Sequence, residues 1–441
     1  MPVLYFDNFR GFNKTFLPLK NVNFFVGENS SGKTSVLKLI KILSDHRFWF
    51  TQEFNSEEAE LGYYSEIASH ANKTKKFFEV GILGDYRDKD EGISAIKLKF
   101  ENLEGIPSIK EISLINGDIN IQTIIEQKKI KYRYSIIDLK NVTESNKLKY
   151  FKSWVENNEL TNKIFLKDEK DSPFYTQALL FRVQTIIAQI KSTDKTKNNK
   201  RNSGFHLPSF LRDVAWLAPI RTDPKRTYDS YKITFNPDGT HAPYLLKKLI
   251  GKDSTSKKRD KVESILQKFG KDSGLFDKIL INPLGKGDTS PFELQVLLNN
   301  QPLKITNVGY GVSQILPLVI EVIARPENTW FAIQQPEIHL HPKGQAAFGD
   351  FILKSAISDK QNFIIETHSD YTIDRFRLKL HKCNHSEESK KIKSQIVFFH
   401  RNNGINELIC IPISSDGSIP EIQPSEFRDF FIREQLELLE I

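Results

Sequence analysis

The chain has 441 residues, with 63 Lys+Arg against 55 Asp+Glu, a net charge of +8 and a pI near 9.0. That length holds about three domains of roughly 150 residues and at least one large core, and 39% hydrophobic with 27% charged residues excludes a disordered or fibrous chain. No run approaches the ~18–20 consecutive apolar residues of a membrane span, and only two cysteines, Cys383 and Cys410, exclude a disulfide framework or a Cys-rich zinc fold.

The opening MPVLYFDNFRGF lacks a basic segment followed by an apolar one, so no secretory leader is expected and the cytoplasm is the expected compartment. Val3–Asn8 has β character, and Asn21–Val26 is a short apolar strand. From Ser31 to Leu43, Val36, Leu37, Leu39, Ile40 and Leu43 recur with helical spacing. Phe77–Leu83, Ala95–Phe100 and the alternating Lys129–Leu139 read as strands. Between about 145 and 290 the character changes, with helices expected over Leu160–Leu166, Phe174–Ile190 and from Ser256 to Phe269. Lys191–Ser203 and Ser256–Lys261 are basic; each reads as a solvated surface and leaves contact with a phosphate backbone open. The last third alternates: strands at Phe292–Leu298, Trp330–Ile333 and Asn362–Ile365, and helices at Gly311–Ala324, Gln345–Ile357 and Tyr371–Leu380. A hairpin about Asn403-Gly404 joins Ile396–Arg401 to Ile405–Ile413. Strands alternating with helices predict an α/β fold with a mostly parallel sheet. No heptad pattern is sustained, so no long coiled coil is expected.

The strongest motif is Gly27-Glu28-Asn29-Ser30-Ser31-Gly32-Lys33-Thr34, followed by Ser35. It fits G-x-x-x-x-G-K-[ST] between a predicted strand and a predicted helix. Its glycines let backbone N–H groups turn toward phosphates, Lys33 brings a cation to the β/γ-phosphates, and Thr34 brings a hydroxyl to Mg²⁺. Three further runs follow in order. Gly309-Tyr310-Gly311-Val312-Ser313-Gln314 precedes an apolar helix; Trp330-Phe331-Ala332-Ile333-Gln334-Gln335-Pro336-Glu337-Ile338-His339-Leu340-His341-Pro342 starts as an apolar strand; Ile364-Ile365-Glu366-Thr367-His368-Ser369-Asp370 leaves another. His339 and His341 lack the further ligands of a metal site.

Together these runs resemble the ABC-type ATPase heads of the SMC, RecF and OLD families, over roughly residues 1–100 and 290–380. The resemblance implies ATP and Mg²⁺ as cofactors. It makes Arg10, in Asn8-Phe9-Arg10-Gly11-Phe12, a nucleotide contact, and Gly309, Gly311 and Ser313 a signature that closes on the nucleotide of another protomer. It makes Gln334 and Gln335 the Walker B positions, His368 the switch histidine, and His341 part of an inter-subunit loop. Trp216–Pro224, with a P-x-R-x-x-P element, and the C-terminal part are similar to the ATPase subunits of bacterial anti-phage systems, with the Septu ATPase subunit as the nearest match and retron and PARIS subunits as close alternatives. The implied organisation is an ATPase lobe over 1–144, a mainly helical insertion over 145–290, a second lobe over 291–400 and a C-terminal extension over 401–441.

One departure matters for chemistry. An active Walker B run needs an acid to hold Mg²⁺ and a Glu to orient water. This chain has Gln334 and Gln335 there, so turnover is expected to fall by orders of magnitude while binding survives. Glu337 fits a structural role, and Glu366 is the candidate surrogate acid. About 73 residues follow His368, too few for a Toprim nuclease domain, so effector chemistry is expected on a separate chain, HNH-type by resemblance. The resulting expectation is an ATP-binding regulatory subunit, homo-oligomeric through its heads, with weak or absent hydrolysis and no membrane association. The alternative is a DNA-repair ATPase of RecF type that hydrolyses ATP and binds DNA.

Overall fold

The computed structural model describes residues 2–427 apart from 70–74, 86–92, 127–128, 140–141, 158–159, 161–163, 169–178, 194–210, 212–213, 230–233, 252–253, 288–289 and 385. Most of the basic run 191–203 lies outside the described residues. The chain divides into two units: Met1–Lys20, Glu28–Val214 and Phe399–Leu408 form the first, and Asn21–Gly27, Ala215–Phe398 and Ile409–Ile441 the second.

The first unit opens with strands β1 (Val3–Asp7) and β2 (Thr15–Pro18); β3 (Val22–Gly27) belongs to the second. Helices α1 (Lys33–Ser44), α2 (Phe48–Thr51) and α3 (Tyr64–Ile67) follow. Then come β4 (Phe77–Asp85), β5 (Ile93–Leu103), β6 (Ile106–Asn116), β7 (Ile119–Glu126), β8 (Lys129–Ile136), α4 (Lys147–Asn157), β9 (Leu166–Lys167) and α5 (Leu179–Thr193). Eight strands form one sheet in the order β2-β1-β4-β5-β6-β7-β8-β9. Each pairing in it is antiparallel. Two-residue turns impose that direction: Glu104-Gly105 joins β5 to β6 with both residues at positive φ, which matches the twist of the strands. Phe151, Trp154 and Val155 of α4 pack on Val3, Tyr5, Leu83, Ala95 and Ile115 of this sheet.

The second unit holds β10 (Ala215–Leu217), α6 (Ala242–Ile250), α7 (Ser256–Ser273), β11 (Lys278–Pro283), β12 (Phe292–Leu298) and β13 (Gln301–Lys304). It continues with α8 (Tyr310–Ala324), β14 (Trp330–Gln334), α9 (Pro342–Ser358), β15 (Asn362–Glu366), α10 (Asp370–Cys383), α11 (Glu387–Lys390), β16 (Ser394–Asn402) and β17 (Ile405–Ile413). A six-stranded sheet runs β10-β14-β15-β3-β16-β17, and β10, β14, β15 and β3 are parallel. These strands are buried along almost their whole length, which is why they read as continuous apolar runs rather than alternating ones. Register pairs Gln334 with Glu366, and Glu366 with Phe25, so β14, β15 and β3 end together. β11, β12 and β13 form a small antiparallel sheet.

The fold is α/β, as expected, and among the described residues the 18-residue α7 is the longest helix, so none there forms a long coiled coil. Three local expectations change. The parallel sheet is the smaller of the two large ones. Leu166–Lys167 is an edge strand paired with Lys131 and Tyr132, not the end of a helix, and 161–163 lie outside the described residues. The expected helix over Phe174–Ile190 is described over Leu179–Thr193. The hairpin about Asn403-Gly404 stands as read, both residues having positive φ. Among the described residues no helix is long and apolar enough to cross a membrane.

One buried ionic cluster ties α6 to α8. His241 Nε2 pairs with Glu321 Oε1, and Arg325 Nε donates to Glu321 Oε2 at 2.9 Å. Burial alone would raise the Glu321 carboxyl, but bonding to His241 and the charge of Arg325 more than offset this and hold it below its usual range. Its contribution is therefore full above the ordinary carboxylate pKa and is lost as pH falls through the lower folded value. Removing one partner leaves the others buried and unpaired. We expect Glu321→Ala to cost about 3–5 kcal/mol in urea unfolding at pH 7, with a smaller cost at pH 3.

Candidate nucleotide site

The phosphate loop leaves β3 at Gly27 and enters α1 at Lys33. Ser30 and Gly32 take positive φ of 62° and 95°. Gly32 is required twice over: a Cβ there would lie 2.5 Å from the Phe12 ring, in a conformation L side chains rarely adopt. Ser31 Oγ donates to the Glu28 carbonyl at 2.7 Å, and Lys33 Nζ donates to the same oxygen at 2.6 Å. Ser31 and Lys33 are buried, whereas Asn29 and Ser30 are exposed. Thr34 and Ser35 occupy the first turn of α1, where orphan N–H groups and the helix dipole favour anions.

Arg10 stands beside that turn. Its Nη1 donates to Ser35 Oγ at 3.3 Å and its Nη2 to the Leu61 carbonyl at 2.5 Å, while its Nε is buried without a hydrogen-bond partner. Burial lowers the guanidinium pKa, opposed by Glu66. Arg10 itself has φ of 42°, held by Asn406 Nδ2 donating to its carbonyl at 2.8 Å. The sequence placed Arg10 near nucleotide; the structure brings it to Ser35.

In the second unit, Gln334 and Glu366 end adjacent parallel strands, and Gln334 Nε2 donates to Glu366 Oε2 at 3.0 Å. Both are buried, at 6% and 5% exposure. Gln335 turns away with φ of 42°, its N–H bonded to the Glu366 carbonyl at 2.7 Å. Glu337 holds the switch segment: its carboxylate accepts from Thr367 Oγ1 at 2.8 Å and from the His368 N–H at 2.6 Å. The His368 ring is exposed. Ser369 caps α10 by accepting from the Thr372 N–H.

Arg221 fixes the end of β14. It is 3% exposed, and Nη2 donates to the Gln334 carbonyl at 3.0 Å, while Nε and Nη1 are buried without a hydrogen-bond partner. Burial draws its pKa down to about 10, against the opposing pull of Glu337, so it remains a cation at neutral pH. A buried arginine with two unmade bonds is costly.

The signature forms the start of α8. Gly309 is its N-cap, and Ser313 Oγ donates to the Tyr310 carbonyl at 2.7 Å. A Cβ on Gly311 would lie 2.7 Å from the His339 carbonyl, so only glycine lets this helix meet the run after β14. The Tyr310 ring lies 4.8 Å from that of His339, and its hydroxyl donates to Asp223 at 2.6 Å. His341 caps α9, its Nδ1 accepting from the Lys343 N–H at 3.3 Å.

The structure thus groups Arg10, Ser35 and the phosphate loop in one unit. In the other it groups Gln334, Gln335, Glu366 and His368, and it places Gly309, Gly311 and Ser313 beside His339. Sequence reasoning assigns no role to Arg221 or to the Tyr310–Asp223 bond; the P-x-R-x-x-P element, which holds Arg221 and Asp223, is the signal that points toward them. The Glu337 bonds generate a direct test. A hydrogen bond to a charged group contributes about 1.5–3 kcal/mol, and 1.4 kcal/mol is tenfold. Amide exchange at His368 should therefore rise roughly 10- to 100-fold in Glu337→Ala, read by hydrogen exchange, and an unchanged rate would show that another group holds this N–H.

Residues 4–373 match the family model AAA_15, described as an AAA ATPase domain. No curated protein sequence matches. Among solved structures, an SMC head bound to the C-terminal winged-helix domain of ScpA is 11% identical, covers 93% of this chain and 97% of its own, and superposes with a TM-score of 0.42. The SMC head domain of Thermotoga maritima is 9% identical, covering 92% and 97%, with a TM-score of 0.38. An SMC head of Pyrococcus furiosus with extended coiled coil, bound to the C-terminal domain of ScpA, is 12% identical, covering 100% and 99%, with a TM-score of 0.37. The family model spans well over half the sequence, phosphate loop, signature and switch segment included, and the chain belongs to the AAA_15 family of AAA ATPase domains.

Proposed function

We propose that this P-loop ATPase is the ATP-binding regulatory subunit of a bacterial anti-phage complex, of the kind represented by PtuA of Septu, and that it hydrolyses ATP weakly or not at all. Head association controlled by nucleotide would hold and control a partner nuclease, HNH-type by resemblance. The observation that carries the reading is the Gln334–Glu366 pair. An amide donating to one carboxylate leaves a single negative charge where metal binding and water activation call for two acids.

The residues fit Mg²⁺ as a ligand shared with phosphates. Mg²⁺ takes oxygen donors, commonly one or two carboxylates plus nucleotide phosphates and water. The first unit offers the Thr34 hydroxyl, and the second offers, by itself, the Gln334 amide oxygen and the Glu366 carboxylate. When bound, the ion supplies charge neutralisation at the β/γ-phosphates. Lys33 and the N–H groups of the loop and of the first turn of α1 hold the phosphates, and Arg10 adds a cation beside Ser35. Gln335 can hydrogen-bond a water but cannot take its proton, whereas the carboxylate of Glu366 at this strand end can. Glu337 keeps the His368 backbone in place while its ring is left to sense the nucleotide. ATP then acts as a conformational ligand, through its differential affinity for associated and separate heads. Gly309, Gly311 and Ser313 are the elements offered to the nucleotide of a second copy.

The test is ATP affinity and turnover on one preparation. We expect tight binding, lost at least 100-fold in Lys33→Ala, and turnover far below the ~1–100 s⁻¹ typical of kinase phosphoryl transfer. Gln334→Asp with Gln335→Glu should raise turnover at least tenfold without tightening ATP. Lys33-dependent turnover in the ordinary range would overturn the switch reading and favour the repair-ATPase one. Copurification with a nuclease tests the partner.

A further inference from the structure

The turn that carries Arg10 is held in an unfavourable backbone conformation. Asn8, Arg10 and Gly11 all have positive φ, at 54°, 42° and 90°. Glycine adopts this freely. A long side chain such as that of Arg10 does not, and such a conformation persists only where neighbouring groups over-determine it. Two groups do so here. On the amino side, the Arg10 N–H donates to the Ile67 carbonyl at 2.9 Å. On the carboxyl side, Asn406 takes two successive carbonyls. Its Nδ2 donates to that of Arg10 at 2.8 Å, and its backbone N–H to that of Gly11 at 2.9 Å.

Asn406 stands two residues past Gly404 and is 8% exposed. Its amide occupies the space that two glycines leave open. A Cβ on Gly11 would lie 2.9 Å from Nδ2, and a Cβ on Gly32, in the phosphate loop, would lie 3.3 Å from the same atom. One side chain therefore packs against both the Arg10 turn and the loop. The Arg10 guanidinium is carried to the start of α1, where Nη1 reaches Ser35 Oγ at 3.3 Å. Neither side chain is fully satisfied, since Arg10 Nε and Asn406 Oδ1 are buried without a hydrogen-bond partner. An arrangement that leaves a donor and an acceptor unmade, around a strained backbone, does not serve stability alone. What it fixes is a cation at a helix N-terminus suited to phosphate. Without the Asn406 bond, Arg10 is free to relax to negative φ, which re-aims its side chain away from Ser35.

Resting on the reading that the phosphate loop binds ATP, we propose that Asn406 is a positioning residue for that nucleotide, acting on it only through Arg10, whose guanidinium it holds beside Ser35. Loss of one neutral hydrogen bond in Asn406→Ala should weaken ATP binding about 2- to 10-fold, and loss of the cation in Arg10→Ala about 10- to 100-fold. The double variant should bind ATP as Arg10→Ala does, within about twofold, because residues that act as one unit are not additive. A merely structural asparagine would instead give losses that multiply. Asn406→Leu keeps the volume without the donor and serves where alanine disturbs folding, and the urea midpoint of each variant without nucleotide reads stability separately. Losses that multiply would overturn the proposal. So would Asn406 variants that bind ATP as tightly as the unaltered chain while Lys33→Ala loses it. ATP binding indifferent to Lys33→Ala would overturn the nucleotide reading itself, and this proposal with it.

Discussion

One end of the parallel sheet is organised by a hydrogen bond between two neighbouring strand ends, Gln334 to Glu366. Parallel register makes them partners, and burial removes the water that would otherwise separate them. Arg221 caps the β14 carbonyl from one side as a cation with two unmade bonds. Glu337 lies close enough to attract it, but its own oxygens are committed to Thr367 and His368.

The switch segment and the signature are built on the same economy of backbone contacts. Glu337 converts the run after β14 into a support for the residues that follow β15. Gly311 and Tyr310 bring the start of α8 onto His339, and Tyr310 reaches on to Asp223, two residues past Arg221. The segments around Arg221, Gln334 and Tyr310 are therefore one hydrogen-bonded body, with little freedom to move separately.

Much of this was legible in the chain itself. The phosphate loop, the order of the motifs, the buried strands β14 and β15 and the hairpin at Asn403-Gly404 follow from local patterns, because turn geometry and apolar runs are local properties. The strands β6 and β7 escaped notice: Pro107 and a half-buried first half blur the alternation of β6, and the first three residues of β7 are all buried, which hides its alternation too. The edge strand at Leu166 looked helical because a short apolar run carries no period of its own. The pairings at the site were out of reach for a different reason. Gln334 and Glu366 are separated by 32 residues and Arg221 and Gln334 by 113, so only the folded register brings them together. A sequence shows that an acid is missing from β14; it does not show that the nearest carboxylate already receives a hydrogen bond from the residue that replaced it.

The bond from Lys33 to the Glu28 carbonyl has a consequence for how the loop greets its ligand. A lysine waiting in water would have to be stripped of solvent and brought to rest when phosphate arrives. Here the ammonium is already dry and already aimed, and the loop around it is already folded on Ser31. A phosphate arriving there would take over from the Glu28 carbonyl a cation that burial has already stripped of most of its water, which lowers the cost of ordering it on binding.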